Sequence, residues 1–207
     1  MNLKKIVLLG LLGAACVGAQ APAPQKEKVA VSQQPGDMEL GLFTGAVIPP
    51  NGGSASAGGG ANFAYAVNTY IYPYFEFSAL PGALNSSVTA ANTKFVTSGN
   101  LADFHGGLHL RIPVNPRFVP YGVFAVGGFR SFSGTIDQFN TTTGNKVIST
   151  PIPSSGSFLF NYGGGIRYYI TDKIGVRFET TAYGPTGKFG GTPVRVMGGV
   201  FFQFKKK

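Results

Sequence analysis

The chain has 207 residues, enough for one domain with a sizeable core, and it is rich in glycine (31), phenylalanine (18) and tyrosine (9) while only 12% of it is charged. So apolar and aromatic a composition excludes a disordered chain, and so sparse a charge excludes an ordinary soluble surface. The formal net charge of +9 is not gathered into a basic stripe interleaved with stacking aromatics, which argues against a nucleic-acid partner.

The amino-terminal stretch reads as a secretory signal peptide over 1–19: a basic "MNLKK", an apolar "IVLLGLLGAACVG" too short to span a membrane, and a small-residue site ending at Ala19. The lone cysteine, Cys16, falls inside it, so the mature chain is expected to have no thiol and no disulfide. Lipidation of Cys16 is the alternative, with Gly13 standing where a bulky aliphatic residue is normally found. Residues 20–36, "QAPAPQKEKVAVSQQPG", lack periodicity and read as a flexible periplasmic linker.

From Asp37 to Phe204 the pattern has period two. Extended segments are expected at 38–48, 60–67, 70–80, 101–112, 118–130, 157–170, 174–184 and 193–204. Their connections alternate in length. "NT", "PVNPR" and "TDK" are short turns, whereas "PPNGGSASAGG", the stretches 81–100 and 131–156, and "GPTGKFGGT" are longer polar links. That rhythm belongs to an up-and-down antiparallel sheet whose two ends face different surroundings. Lys205, Lys206 and Lys207 close the chain as a basic tail, read as solvated.

Each strand has two unlike faces. One presents Ile71, Phe75 and Phe77; Phe104, Leu108, Leu110 and Ile112; Ile174, Val176 and Phe178; Val194, Val196, Val200, Phe202 and Phe204. The other presents Glu39; Tyr70, Tyr72, Tyr74 and Glu76; Asp103, His105, His109 and Arg111; Asn161 and Arg167; Arg177 and Glu179; Arg195 and Gln203. The strand "FVPYGVFAVGGF" is apolar on both faces and permits no assignment. A soluble barrel would turn the apolar face inward, an outer-membrane barrel outward. The polar face decides in favour of the second. Its carboxylates Glu39, Glu76, Asp103 and Glu179 balance Arg111, Arg167, Arg177 and Arg195, and none of the eleven lysines lies on it. Arginine is the cation expected where charges must be paired in an enclosed space. The expected fold is therefore all-β: a closed eight-stranded antiparallel transmembrane barrel over 37–204, with a lumen filled by side chains.

"YGGGIRYYITDKIGVRFE", "PYGVFAVGGF" and the closing "GGVFFQF" resemble the OmpA-like family of eight-stranded outer-membrane β-barrels, over roughly 37–204 and most strongly from 118 onward. The resemblance implies a carboxy-terminal assembly signal read by the barrel-assembly machinery, matched here by Gly199, Phe202 and Phe204. Met197 stands where that signal usually has a polar residue, and three lysines follow Phe204. The resemblance extends to the barrel and not to the peptidoglycan-binding domain that some members carry.

The expected location is the bacterial outer membrane, with both termini and the short turns in the periplasm and outer-membrane lipids around the wall. The expected role is structural or surface-interacting, through loops whose ligand is unspecified. A narrow pore for small solutes is the alternative. A lipid-modifying enzyme is weaker, because His105 and His109 lie roughly 13 Å apart along a strand and cannot act together directly. No catalytic residue, cofactor or metal site is assigned: His109 is read as a lumen residue near the periplasmic end, and His105, the one candidate left, as a lumen histidine bonded to a neighbouring Asp or Tyr.

Overall fold

The computed structural model describes residues 34–50, 55–184 and 192–206. The signal-peptide segment and most of the linker segment lie outside the described residues. Among the described residues ten strands follow one another: β1 (Met38–Ile48), β2 (Ser56–Tyr65), β3 (Ile71–Leu80), β4 (Ser86–Ala90), β5 (Thr93–Arg111), β6 (Phe118–Asn140), β7 (Lys146–Ile152), β8 (Gly156–Tyr169), β9 (Ile174–Tyr183) and β10 (Val194–Phe204). Eight of them form a closed antiparallel ring in the order β1, β2, β3, β5, β6, β8, β9, β10. The last pairing joins β10 back to β1, from Met38 opposite Phe204 to Ile48 opposite Val194. Closure leaves the described barrel sheet without an open edge, which is the condition a spanning sheet must meet. No helix among the described residues is long and apolar enough to cross a membrane.

Strand alternation turns one set of side chains outward. Leu42, Phe63, Phe75, Phe77, Phe104, Leu110, Phe124, Phe158, Phe178 and Phe204 are exposed, and several face each other across strands, as Phe63 with Phe75 and Phe77 with Phe104. In water such a wall would be an aggregation surface. In a bilayer it is the lipid belt. The inward set includes every carboxylate and arginine predicted for the polar face, from Glu39 at 0% exposure to Arg111 at 4%. Tyr70 departs from the expectation. It is exposed in the 66–70 turn, because the Asn68 side-chain oxygen accepts the amides of Tyr70 and Ile71 and delays the strand to Ile71.

The unassigned strand, β6, is resolved: Val119, Tyr121, Val123, Ala125 and Phe129 point inward, Phe124 and Val126 outward. The two longest links are also not plain loops. Residues 86–90 form β4 against the extended end of β5, and 146–152 form β7 against the extended end of β6. Together β4, β5, β6 and β7 make a four-stranded sheet beyond the barrel wall. Period-two burial could not announce it, since β4 is exposed on both faces and β7 nearly so.

The two ends of the barrel therefore differ. The terminal end holds Asp37, Phe204 and the short turns 66–70, 112–117 and 170–173; the hairpin end holds the β4–β7 sheet. At the terminal end Gly36 donates to the Ala66 carbonyl at 2.8 Å, and the Asp37 carboxylate accepts from the Gln203 side chain at 2.8 Å and the Lys206 amide at 3.2 Å. The segments flanking the first and last strands, at Gly36, Asp37 and Lys206, are thus tied to the barrel rim.

Candidate functional site: the barrel lumen

The lumen is built in layers. At the terminal end Val119, Tyr169 and Phe201 form an apolar plug, with Phe201 edge-on to Tyr169 at 5.1 Å. Gly175 makes room for it: a Cβ there would lie 2.2 Å from the Phe201 ring. At the hairpin end Leu80, Leu101, Phe129, Leu159 and Tyr183 form a second apolar cluster. This cluster encloses a cavity of about 60 Å³ that Asp103 also lines.

Between the plugs lie the charges. Arg167 on β8 reaches Glu39 on β1 at 3.0 Å, and Arg177 on β9 reaches Glu76 on β3 at 3.1 Å. Arg195 on β10 bridges Glu76 and Glu179, the second contact at 3.2 Å. Glu39–Arg167 and both Glu76 contacts join strands that are not sheet neighbours, so they tie opposite walls across the bore. Arg167 and Arg177 face each other in register on β8 and β9, and each is directed to a different carboxylate. That split makes the adjacent like charges tolerable. Fully desolvated pairs of this kind bring little net stability, but removing one partner strands a buried charge.

Arg111 and Asp103 lie outside this set of ion pairs. Arg111 donates to the Tyr169 hydroxyl at 3.2 Å and covers the Tyr72 ring at 4.7 Å, with no carboxylate in ion-pair range among the described residues. Asp103 accepts from Ser78, from Tyr183 at 2.9 Å and from His105 at 3.1 Å. Arg177 and Glu179, neighbours in sequence, do not pair with each other and meet the network through Glu76 and Arg195.

Hydrogen-bond chemistry assigns the histidine tautomers. Arg167 can only donate, so His109 Nδ1 accepts from it at 2.8 Å and the proton rests on Nε2, 3.8 Å from Glu179. Tyr74 stacks on His109 at 3.9 Å. His105 donates from Nδ1 to Asp103, and Asn161 donates to its Nε2 at 3.0 Å. Ser78 bonds to the carboxylate and not to the imidazole, so Ser78, Asp103 and His105 lack the hydroxyl–base contact of a nucleophile. No group of three or more metal-binding side chains exists among the described residues.

The assembly-signal positions divide between the faces. Phe202 and Phe204 are exposed on the lipid side of β10. Gly199 faces inward, where a Cβ would meet Phe43 at 2.7 Å, and Met197 beside it is buried. Sequence reasoning missed the roles of Tyr121, which donates to Glu179 at 2.8 Å, of Ser78, and of both apolar plugs. Tyr121 was hidden by the two-sided apolarity of its strand. Ser78 follows directly from the parity that places Glu76 inside.

The sequence matches the outer membrane protein β-barrel domain family over residues 7–192. The chain belongs to this family. No curated protein matches the sequence. Among solved structures, Neisserial surface protein A aligns with a TM-score of 0.55 at 12% identity, covering 81% of this chain and 96% of that one. The amino-terminal β-barrel domain of Pseudomonas aeruginosa OprF aligns with a TM-score of 0.52 at 15% identity, over 83% of this chain and 100% of that one. Pseudomonas aeruginosa OprG gives 0.51 at 12% identity, over 86% and 100%. At these identities the likeness is one of fold. Family and fold together make the chain an integral outer-membrane β-barrel.

Proposed function

We propose that this outer-membrane barrel is a plugged mount for the β4–β5 and β6–β7 hairpins, which meet partners outside the cell. The observation that supports this reading is the lumen itself: apolar clusters at both ends and ion pairs strung from wall to wall between them favour a filled post over a channel. The part that projects is a sheet that presents Ser and Thr beside exposed Val88, Val147 and Ile148, with open edges on β4 and β7. Both termini and the short turns then face the periplasm.

Single cysteines at Ser87 and Asp172 test this arrangement in whole cells. An impermeant maleimide is expected to label Ser87→Cys and to leave Asp172→Cys untouched; the reverse pattern would overturn it. A narrow pore is the second reading. The observation favouring it is that several buried polar atoms, among them Arg111 Nη1, Arg177 Nη1 and His109 Nε2, have no hydrogen-bond partner among the described residues.

A further inference from the structure

The cations of the terminal end are not spread around its rim. The 66–70 turn has none, and the 112–117 turn has Arg117 alone. At the β9–β10 seam, by contrast, Lys173 closes the turn into β9, and Lys205 and Lys206 follow β10. Pairing brings the two segments together: Ile174 lies opposite Phe202, and the Gln203 amide donates to the Lys173 carbonyl at 2.7 Å. The Lys206 amide bonds to Asp37, so this segment is held at the rim and does not simply trail into solvent.

Here the three lysines border a surface concavity of about 620 Å³ with Ile174, Phe202, Gln203 and Phe204. Ile174, Phe202 and Phe204 are exposed and continue the lipid belt without interruption. Opposing charge is small. Asp172 lies 3.7 Å from Lys205 and is itself exposed, while the Asp37 carboxylate is turned inward onto Gln203. The groove is therefore apolar where it meets hydrocarbon and cationic where it meets the headgroup layer.

We propose that the β9–β10 seam is a binding site for an anionic glycerophospholipid, its phosphate on Lys173, Lys205 and Lys206 and an acyl chain along Ile174, Phe202 and Phe204. Lysine is suited to this task, because a mobile point charge follows a phosphate that moves with the bilayer. The continuity of the groove with the lipid belt selects a membrane lipid over a soluble anion. The inference rests on membrane insertion with the terminal end in the periplasmic leaflet, as proposed above, and not on what the hairpins bind.

The test is native mass spectrometry of the refolded full chain, exposed in detergent micelles to palmitoyl-oleoyl phosphatidylglycerol or to the matching phosphatidylcholine. Wild type and the hairpin-end control K94Q/K146Q are expected to retain one phosphatidylglycerol and far less phosphatidylcholine. K173Q/K205Q/K206Q is expected to lose it. K173Q alone, which leaves the assembly-signal strand intact, should weaken retention about fivefold, the effect of one interfacial lysine. Equal retention by the lysine variants and wild type would overturn the site. So would equal retention of the two lipids, or a loss in the control as large as in the triple variant.

Discussion

β5 and β6 pass without a break from the barrel wall into the projecting sheet, and the two halves of the same strands obey different rules. Within the wall every second residue of β5 is fixed by the lumen: Leu101, Asp103, His105, His109 and Arg111 are buried, with Gly107 between the histidines. Beyond the register shift at Ser98 and Asn100, where Ser133 of β6 adopts a φ of 53°, this discipline ends. Lys94 and Phe95 are held by pairing with Phe139 and Gln138 and not by a core. One half is specified by what its side chains must touch across a bore. The other is specified by backbone hydrogen bonds, turn chemistry and cross-strand polar pairs near solvent, such as Asp137 with Lys146 and Ser149.

The largest expected effect lies in the wall. Glu76 serves both Arg177 and Arg195 and approaches His105 at 3.5 Å. Glu76→Gln preserves volume but strands cationic charge in the bore, and should cost about 3–5 kcal/mol. Thermal unfolding in detergent, followed by gel mobility of unheated against heated samples, measures it; an unchanged midpoint would mean the ion pairs are dispensable.

Gly165→Ala comes next. Its Cβ would stand 2.5 Å from the Phe178 carbonyl and 2.7 Å from the Tyr121 hydroxyl, displacing the ring that donates to Glu179. A loss of about 1–3 kcal/mol is expected from such overpacking, read by the same assay.

The smallest effect belongs to the projecting sheet and to pH. Hydrogen bonds from Lys146 and then Ser149 hold the Asp137 carboxyl below its usual range. A carboxyl depressed in the folded hairpin contributes at neutral pH and loses its contribution as pH falls through the depressed value. Protection factors of β7 amides, corrected for the intrinsic pH dependence of exchange, should therefore fall below about pH 4 while those of the wall hold. Asp137→Asn should abolish this pH dependence, and a persisting one would place its origin elsewhere.

The difference between the two regions also explains what could be read from sequence. The wall was legible because burial imposes period two: Arg177 and Glu179 against Ile174, Val176 and Phe178 reveal which face is enclosed. Partners within the bore were not legible. Glu39 meets Arg167 from 128 residues away, and Glu76 meets Arg195 from 119, through strand tilt and closure that no local pattern records. Val119 and Phe129 left their strand unassigned for the opposite reason, since the lumen is capped by apolar side chains that look like lipid-facing ones. The projecting strands β4 and β7 bury neither face, so only the Ser, Thr, Asn and Gly content of the links that hold them was visible, and it read as loop.

The central claim is that the bore is closed by packing and ion pairs acting across it. Single-channel recording of the refolded barrel in planar bilayers tests this most directly, in samples whose folding is verified by heat-dependent gel mobility. The account predicts a folded, electrically silent protein. Steady channels, altered or lost on Glu76→Gln, would contradict it and make the charge layer a gate.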